Sequence, residues 1–192
     1  MMINPTKPNF LYLVWGILFV INIAMIFRVM PEAENRILSA SDTPEKVELL
    51  DVEVFGFDEE KVHQIMTALG PEGRKQYIRF HRHDDFIFPF SYAIFLSITL
   101  FLLAGKRFRN KIQVIIASAI PLFAMLADFI ENHFITLICK QYPDIETGII
   151  QTASLANSAK SLFLIITFGL AILLLIGNAI QRLKRFRKPW FS

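Results

Sequence analysis

Ala127-Asp128-Phe129-Ile130-Glu131-Asn132-His133-Phe134 lies inside a long apolar run, Ile112 to Cys139, that otherwise reads as a membrane-spanning helix. Asp128, Glu131 and Asn132 are spaced i, i+3, i+4 and so share one helical face. Carboxylates at membrane depth are costly, and they mark a site with a partner somewhere in the fold. The rest of the chain is read as the search for that partner.

Composition sets the class. The chain has 192 residues, of which 54% are hydrophobic and 19 are Phe. Its mean hydropathy is +0.45. That is too apolar for a soluble domain of this size and fits an integral membrane protein. The single Cys139 excludes a disulfide framework, a cysteine metal cluster and a dithiol pair. The net charge of +3 hides a segregation. Two clusters, Lys106–Lys111 and Arg182–Lys188, are basic and contain no acid, whereas every Asp and Glu falls within 32–85 or 128–146. Such charge patterning reports topology and not nucleic-acid binding, because basic loops beside spans stay cytoplasmic.

Working outward from the acidic face, four spans are expected, at about 10–28, 86–104, 112–138 and 152–180. The first has no small-residue cleavage site behind it and reads as an uncleaved signal anchor, with Tyr12 and Trp15 in an interfacial belt and Asn22 in an interhelical hydrogen bond. Residues 31–85 form an acidic, mostly helical insert expected to cap the bundle from outside. Within it, Thr43-Pro44 marks a short helix start. Leu50 to Phe57 alternates Val52 and Val54 with Asp51 and Glu53, as an extended piece would. Asp58-Glu59-Glu60 opens a second helix with Val62, Ile65, Met66 and Leu69 on its apolar face. Gly70-Pro71 then ends and restarts the chain. From Glu72 a continuous helix is expected into the second span, with Tyr77, His81, Asp84/Asp85, Phe88 and Tyr92 on one face. Pro89 and Pro121 are candidate kinks.

The third span is longer than a bilayer requires, so Asp128 falls near the outer edge of the core and Glu131-Asn132 near the interface. The apolar residues beyond, Phe134, Ile135, Leu137 and Ile138, are then expected to pack on the insert. In the fourth span Lys160, beside Asn157 in a segment of small residues, reaches about the same depth. The expected architecture is all-α: a four-transmembrane-helix bundle, both termini cytoplasmic, in the inner (plasma) membrane, with the 31–85 insert outside.

The pattern Gly73-Arg74…Tyr77, Asp85…Pro89…Tyr92, Asp128…Glu131-Asn132, Lys160 resembles that of an uncharacterised group of small bacterial four-helix integral membrane proteins. The likeness covers about Phe55 to Ile176. It implies no activity, but it implies that Arg74, Tyr77, Asp85, Asp128, Glu131, Asn132 and Lys160 act together. That pattern would place an aromatic after the lysine, where this chain has Ser161.

The leading functional reading is an outward-facing polar pocket for a lipid headgroup or a small polar ligand. Asp128 and Glu131 would accept hydrogen bonds or protons, Asn132 would orient them, Lys160 would be the counter-ion, and Arg74 with Tyr77 the rim. A second reading is an enzyme on a lipid or isoprenoid, pairing His81 or His133 with Asp85 or Glu131 as general acid and base. A third is an accessory subunit in which the buried ions only tie helices together. No cofactor or metal is expected: His81 and His83 at i, i+2 point to different faces and no metalloprotease spacing exists. Membrane lipid, a small polar ligand, and a homo-oligomer or membrane partner are the partners this reading allows. Transport by four spans without a broken-helix repeat is disfavoured.

Overall fold

The computed structural model describes residues 8–186; the amino-terminal tail up to Lys7 and the end of the second basic cluster lie outside them. Six α-helices run in chain order: α1 (Pro8–Ala24), α2 (Met30–Ser39), α3 (Glu59–Arg79), α4 (Phe88–Arg107), α5 (Lys111–Gln141) and α6 (Thr147–Phe186). Four helical stretches are long and apolar enough to cross a membrane: Phe10–Ser39, Phe88–Arg107, Lys111–Gln141 and Thr147–Lys184. The all-helical, four-span reading therefore holds, and the chain has the build of a multi-pass membrane protein.

Each span is longer than the sequence suggests at one end or both. The first does not stop near Arg28. A π-helical turn, Met25–Val29, joins α1 to α2 without a break. Pro31 sits in the first turn of α2. It lacks an N–H and crowds the carbonyl four residues back, and a widened turn just upstream absorbs both. α5 runs unbroken through Pro121. Asn110 starts it by accepting a hydrogen bond from the Ile112 N–H at 2.9 Å.

α4, α5 and α6 pack on one another along their length, and α1 leans on α4. Ala93, Ala104, Ala117, Ala124 and Ala171 are buried along these contacts, where small side chains let helix axes approach closely. Trp15 packs against α4. Its indole N–H donates to Thr99 Oγ1 at 2.8 Å, and its ring lies 5.2 Å from that of Phe95. Asn22 bonds its own helix, donating to the Leu18 carbonyl at 2.7 Å, and not a neighbour.

The segment between the first two spans has a core of its own, shared with the ends of α5 and α6. Ile37, Leu50, Val62, Ile65, Met66 and Leu69 bury against Ile135, Ile138 and Ile150, with Phe134 and Leu137 packed alongside. Asp58 caps α3, accepting from the Lys61 N–H at 2.8 Å. Gly70 breaks α3 at φ +62°, a left-handed conformation that glycine adopts without penalty, and Pro71 resumes the helix.

Three local expectations fail. Thr43-Pro44 opens only a single 3-10 turn, Pro44–Lys46, and the Thr43 side chain caps nothing. Leu50–Val52 is a 3-10 turn and not a strand; no second strand lies alongside to take its hydrogen bonds. The helix from Glu72 does not run into the second span. It widens into a π-helical turn, Phe80–Asp84, and breaks over residues 85–87 before α4 begins. The cause is Pro89, which has no N–H to give the Asp85 carbonyl four residues back and crowds it, and is tolerated only in the first turn of the new helix.

Candidate functional site

The acidic face of α5 does find its partner. Asp128, Glu131 and Asn132 are buried, Glu131 completely. Lys160 on α6 places Nζ 2.5 Å from Glu131 Oε2 and 3.8 Å from Asp128 Oδ1. Asn157, one turn earlier on α6, donates to Glu131 Oε1 at 2.9 Å. Tyr92 on α4 donates to Asp128 Oδ2 at 2.9 Å. Asn132 donates to Asp85 Oδ2 at 2.6 Å, across the break before α4. That break is what lets the Asp85 side chain turn inward. The carboxylates thus draw their partners from three helices, as burial of charge requires.

Two participants carry no signal in the sequence. The first is Asp51. Its main-chain carbonyl accepts from Lys160 Nζ at 3.2 Å, and its carboxylate takes a short hydrogen bond from the Tyr77 hydroxyl. The second is Asn157 as a main-chain clamp. Its amide donates to the carbonyls of Leu50 at 3.4 Å and Glu53 at 2.9 Å, and Oδ1 accepts from the Gly56 N–H at 2.9 Å. Ser154 Oγ accepts from the Phe57 N–H at 2.9 Å. The turn at 50–57 is thereby sewn to α6, and Asp51 is carried over the cluster. Gly56 permits the close approach: at φ +84°, a Cβ there would stand 2.5 Å from Ser154 Oγ.

The other expected residues divide. Tyr77 is fully buried, and burial with the adjacent Asp51 holds its hydroxyl well above the usual range. Arg74 is not at the cluster. It donates to the Met66 carbonyl at 2.6 Å and lies 4.6 Å over the Tyr142 ring, closing the first half of α3. His81 is buried, its ring 4.6 Å from that of Tyr77, and makes no hydrogen bond to a carboxylate. Burial lowers its pKa to about 4, against the opposing pull of Asp51, so the imidazole is neutral. His133 is exposed and packs edge-on against Phe134. The histidine–carboxylate pair that an acid–base enzyme would need is therefore not formed by either histidine. Burial, and next the Asp128 charge, raise Asp85 to about 8. Asp84 lies outside the cluster, paired with Arg36 at 2.7 Å.

On one side this cluster borders a cavity of about 520 Å³ between α1, α4, α6 and the 50–57 turn. Asp51, Tyr92, Asp128 and Lys160 form its polar end. Phe19, Ile23, Phe95, Leu96, Leu164 and Phe168 form apolar walls running toward the membrane interior. Asn22 also faces it, and its buried Oδ1 has no hydrogen-bond partner. Ser161 is also part of the lining.

Fold and site together define a four-span helical membrane protein with a buried ionic cluster at one end of a largely apolar cavity. No family model matches the chain, and no curated protein or solved structure is significantly similar to it.

Proposed function

We propose that this protein binds an amphiphile with its polar head against Asp51, Tyr92, Asp128 and Lys160 and its apolar part between α1, α4 and α6. The observation that carries the reading is the cavity itself. Its polar end is charged and buried, its walls are apolar, and a buried carbonyl oxygen of Asn22 faces it unpaired. A cluster that served only to tie helices together would not need an adjoining space of ligand size, and binding sites combine apolar walls with a few convergent polar groups. Two carboxylates, Asp128 and Glu131, and the main-chain carbonyl of Asp51 surround one ammonium, Lys160. That balance favours a head that donates hydrogen bonds, such as a hydroxyl or an amine, over a second anion.

The orientation follows from charge. The basic loop 106–111 and the basic carboxy-terminal segment support cytoplasmic placement of those helix ends and of both termini in an inner (plasma) membrane. The 31–85 segment and the cavity's polar end then face outward, and the first span is a signal anchor.

The test is gentle extraction followed by native mass spectrometry. The wild-type protein should carry a bound species of lipid mass. Leu164→Trp, which fills the cavity, should lose it while melting at least as high as wild type. A wild-type protein that carries nothing, and that added single-chain amphiphiles do not stabilise, would overturn the reading.

A further inference from the structure

A second pocket, of about 320 Å³, lies between the π-helical turn at 80–84 and α5, and shares no lining residue with the first. On α5 it is centred on Phe129, Asn132, His133 and Thr136, roughly 100° round the helix from Asp128 at about 100° per residue. Its floor is unusual. His81 is 5% exposed and Asn132 is 6% exposed, and the two side chains lie close enough to act on each other, yet among the described residues neither ring nitrogen of His81 nor Oδ1 of Asn132 makes a well-formed hydrogen bond. The Asn132 amide is already committed to Asp85, so Oδ1 is left as a free acceptor. The neutral imidazole presents one N–H donor and one lone pair. Buried polar groups are nearly always paired, so a set of three in one pocket marks a place where something else supplies the bonds.

The rim specifies what. Arg82 and Lys140 are exposed beside the pocket and form no ion pair among the described residues. No carboxylate is among the described residues that line it, and Asp85 is held behind the Asn132 amide. Phe86 and Phe129, 6.1 Å apart, make an apolar wall where the second span begins. The pocket therefore offers two cations outside, a donor and acceptors of hydroxyl type inside, and a greasy edge at the membrane boundary.

We propose that this pocket binds a phosphate ester of a hydroxyl-bearing alcohol, with Arg82 and Lys140 on the phosphate and His81 with Asn132 on the hydroxyl groups. Glycerophosphate chemistry has this form, whether it comes from a lipid headgroup in the same leaflet or from a free polyol phosphate. A hydroxyl can donate to Asn132 Oδ1 or the imidazole lone pair and accept from the imidazole N–H, which satisfies all three orphaned atoms at once. Recognition of the phosphate by exposed cations adds charge-assisted bonds at the rim.

The experiment uses the full chain, delipidated in a neutral detergent, with native mass spectrometry as readout. Separate arms receive phosphatidylglycerol, phosphatidic acid, phosphatidylcholine and glycerol 3-phosphate. Wild type should hold phosphatidylglycerol about tenfold more tightly than phosphatidic acid or phosphatidylcholine, the effect of one well-made hydrogen-bonded contact. Arg82→Gln with Lys140→Gln, both on the surface, should lose most of that affinity without altering the fold. His81→Phe should keep affinity for the phosphate but lose the preference for the glycerol head; should it not fold, the preference is read from His81→Met instead. Competition by glycerol 3-phosphate assigns the site to the free phosphoester, and binding of the lipid alone assigns it to the membrane. Equal binding of all three lipids, or undiminished binding by the Arg82/Lys140 double variant, overturns the proposal. Neither result bears on the first cavity, whose lining is untouched by these substitutions.

Discussion

Lys160 Nζ on α6 stands 2.5 Å from Glu131 Oε2 on α5, in a position where Glu131 has no solvent exposure at all. The same ammonium reaches the main-chain carbonyl of Asp51, so one side chain joins two spans and the segment above them. Removing one member of such a pair strands the other. Glu131→Gln or Lys160→Met alone should cost about 3–5 kcal/mol of stability. The double variant should recover a large part of this, although Asp128, 3.8 Å from Nζ, then lacks its cation. Thermal unfolding in detergent, read as a double-mutant cycle, checks the coupling. Additive losses would show that the two ions are not energetically joined.

Asn157 makes four hydrogen bonds with its amide, three of them to main chain in the 50–57 turn. Asn157→Ala leaves those buried groups and Glu131 Oε1 unsatisfied, at about 1–3 kcal/mol for the worst of them. The loss should be local before it is global. Hydrogen exchange at residues 50–57 should accelerate well above that in α3, whose apolar face packs independently on Ile135 and Ile138. Uniform acceleration across the chain would show that the turn is not a separately tethered unit.

Two buried groups outside the spans give stability opposite pH dependences. Asp85 rises from 3.8 to about 8 on folding, so between those values the folded state holds a proton that the unfolded state has released, and stability falls as pH rises. His81 falls from 6.5 to about 4, so over that window the unfolded state holds the extra proton and stability rises with pH. The two offset each other below about pH 6.5, and the decline from Asp85 stands alone from there to about pH 8. Asp85→Asn, which still accepts from the Asn132 amide, should flatten the curve in that upper window. His81→Gln should steepen the fall from about pH 4 to 6.5 by removing the opposing slope. An upper window that slopes equally in wild type and Asp85→Asn would assign the titration elsewhere.

The pair at the centre was legible because both members are chemically out of place. Asp128, Glu131 and Lys160 are flanked by apolar residues, and helical counting puts them at one depth. Asp51 was not legible for the opposite reason. It sits in an alternating acid–apolar stretch that reads as a solvated strand edge, and its place over the cluster is imposed from about 100 residues away by Asn157 and Ser154, which hold the turn on either side of it. The break before α4 was missed because helical periodicity continues across it. Tyr77 and His81 face inward from one helix, Asp85 turns inward through the break, and Tyr92 does so from the next. Apolar pattern records which way a side chain faces, and in this stretch it is blind to whether the backbone between is continuous. Arg74 failed differently: its charge near the cluster in sequence marks a helix end, whose orphan carbonyl at Met66 it satisfies.

The turn that carries Asp51 depends on one glycine. Gly56 has φ +84°, and a methyl there would meet Ser154 Oγ at 2.5 Å, Ser158 Oγ at 2.9 Å and the Ser154 carbonyl at 3.0 Å. Gly56→Ala therefore carries both a backbone penalty of about 1–3 kcal/mol and a steric one. Adding Ser154→Gly clears the nearest atom but leaves φ and the Ser154 carbonyl as they are, and it removes the acceptor for the Phe57 N–H. The double variant should consequently be no more stable than Gly56→Ala. Gly105, inside α4 with nothing within 4 Å of its built Cβ, is the internal comparison. Gly105→Ala should stabilise by about 0.5–1 kcal/mol, because it removes freedom from the unfolded chain and meets no neighbour. Melting temperatures of the three variants in one detergent decide the matter. A Gly56→Ala protein that melts with wild type would mean the 50–57 turn does not lie against α6 and does not wall the main cavity.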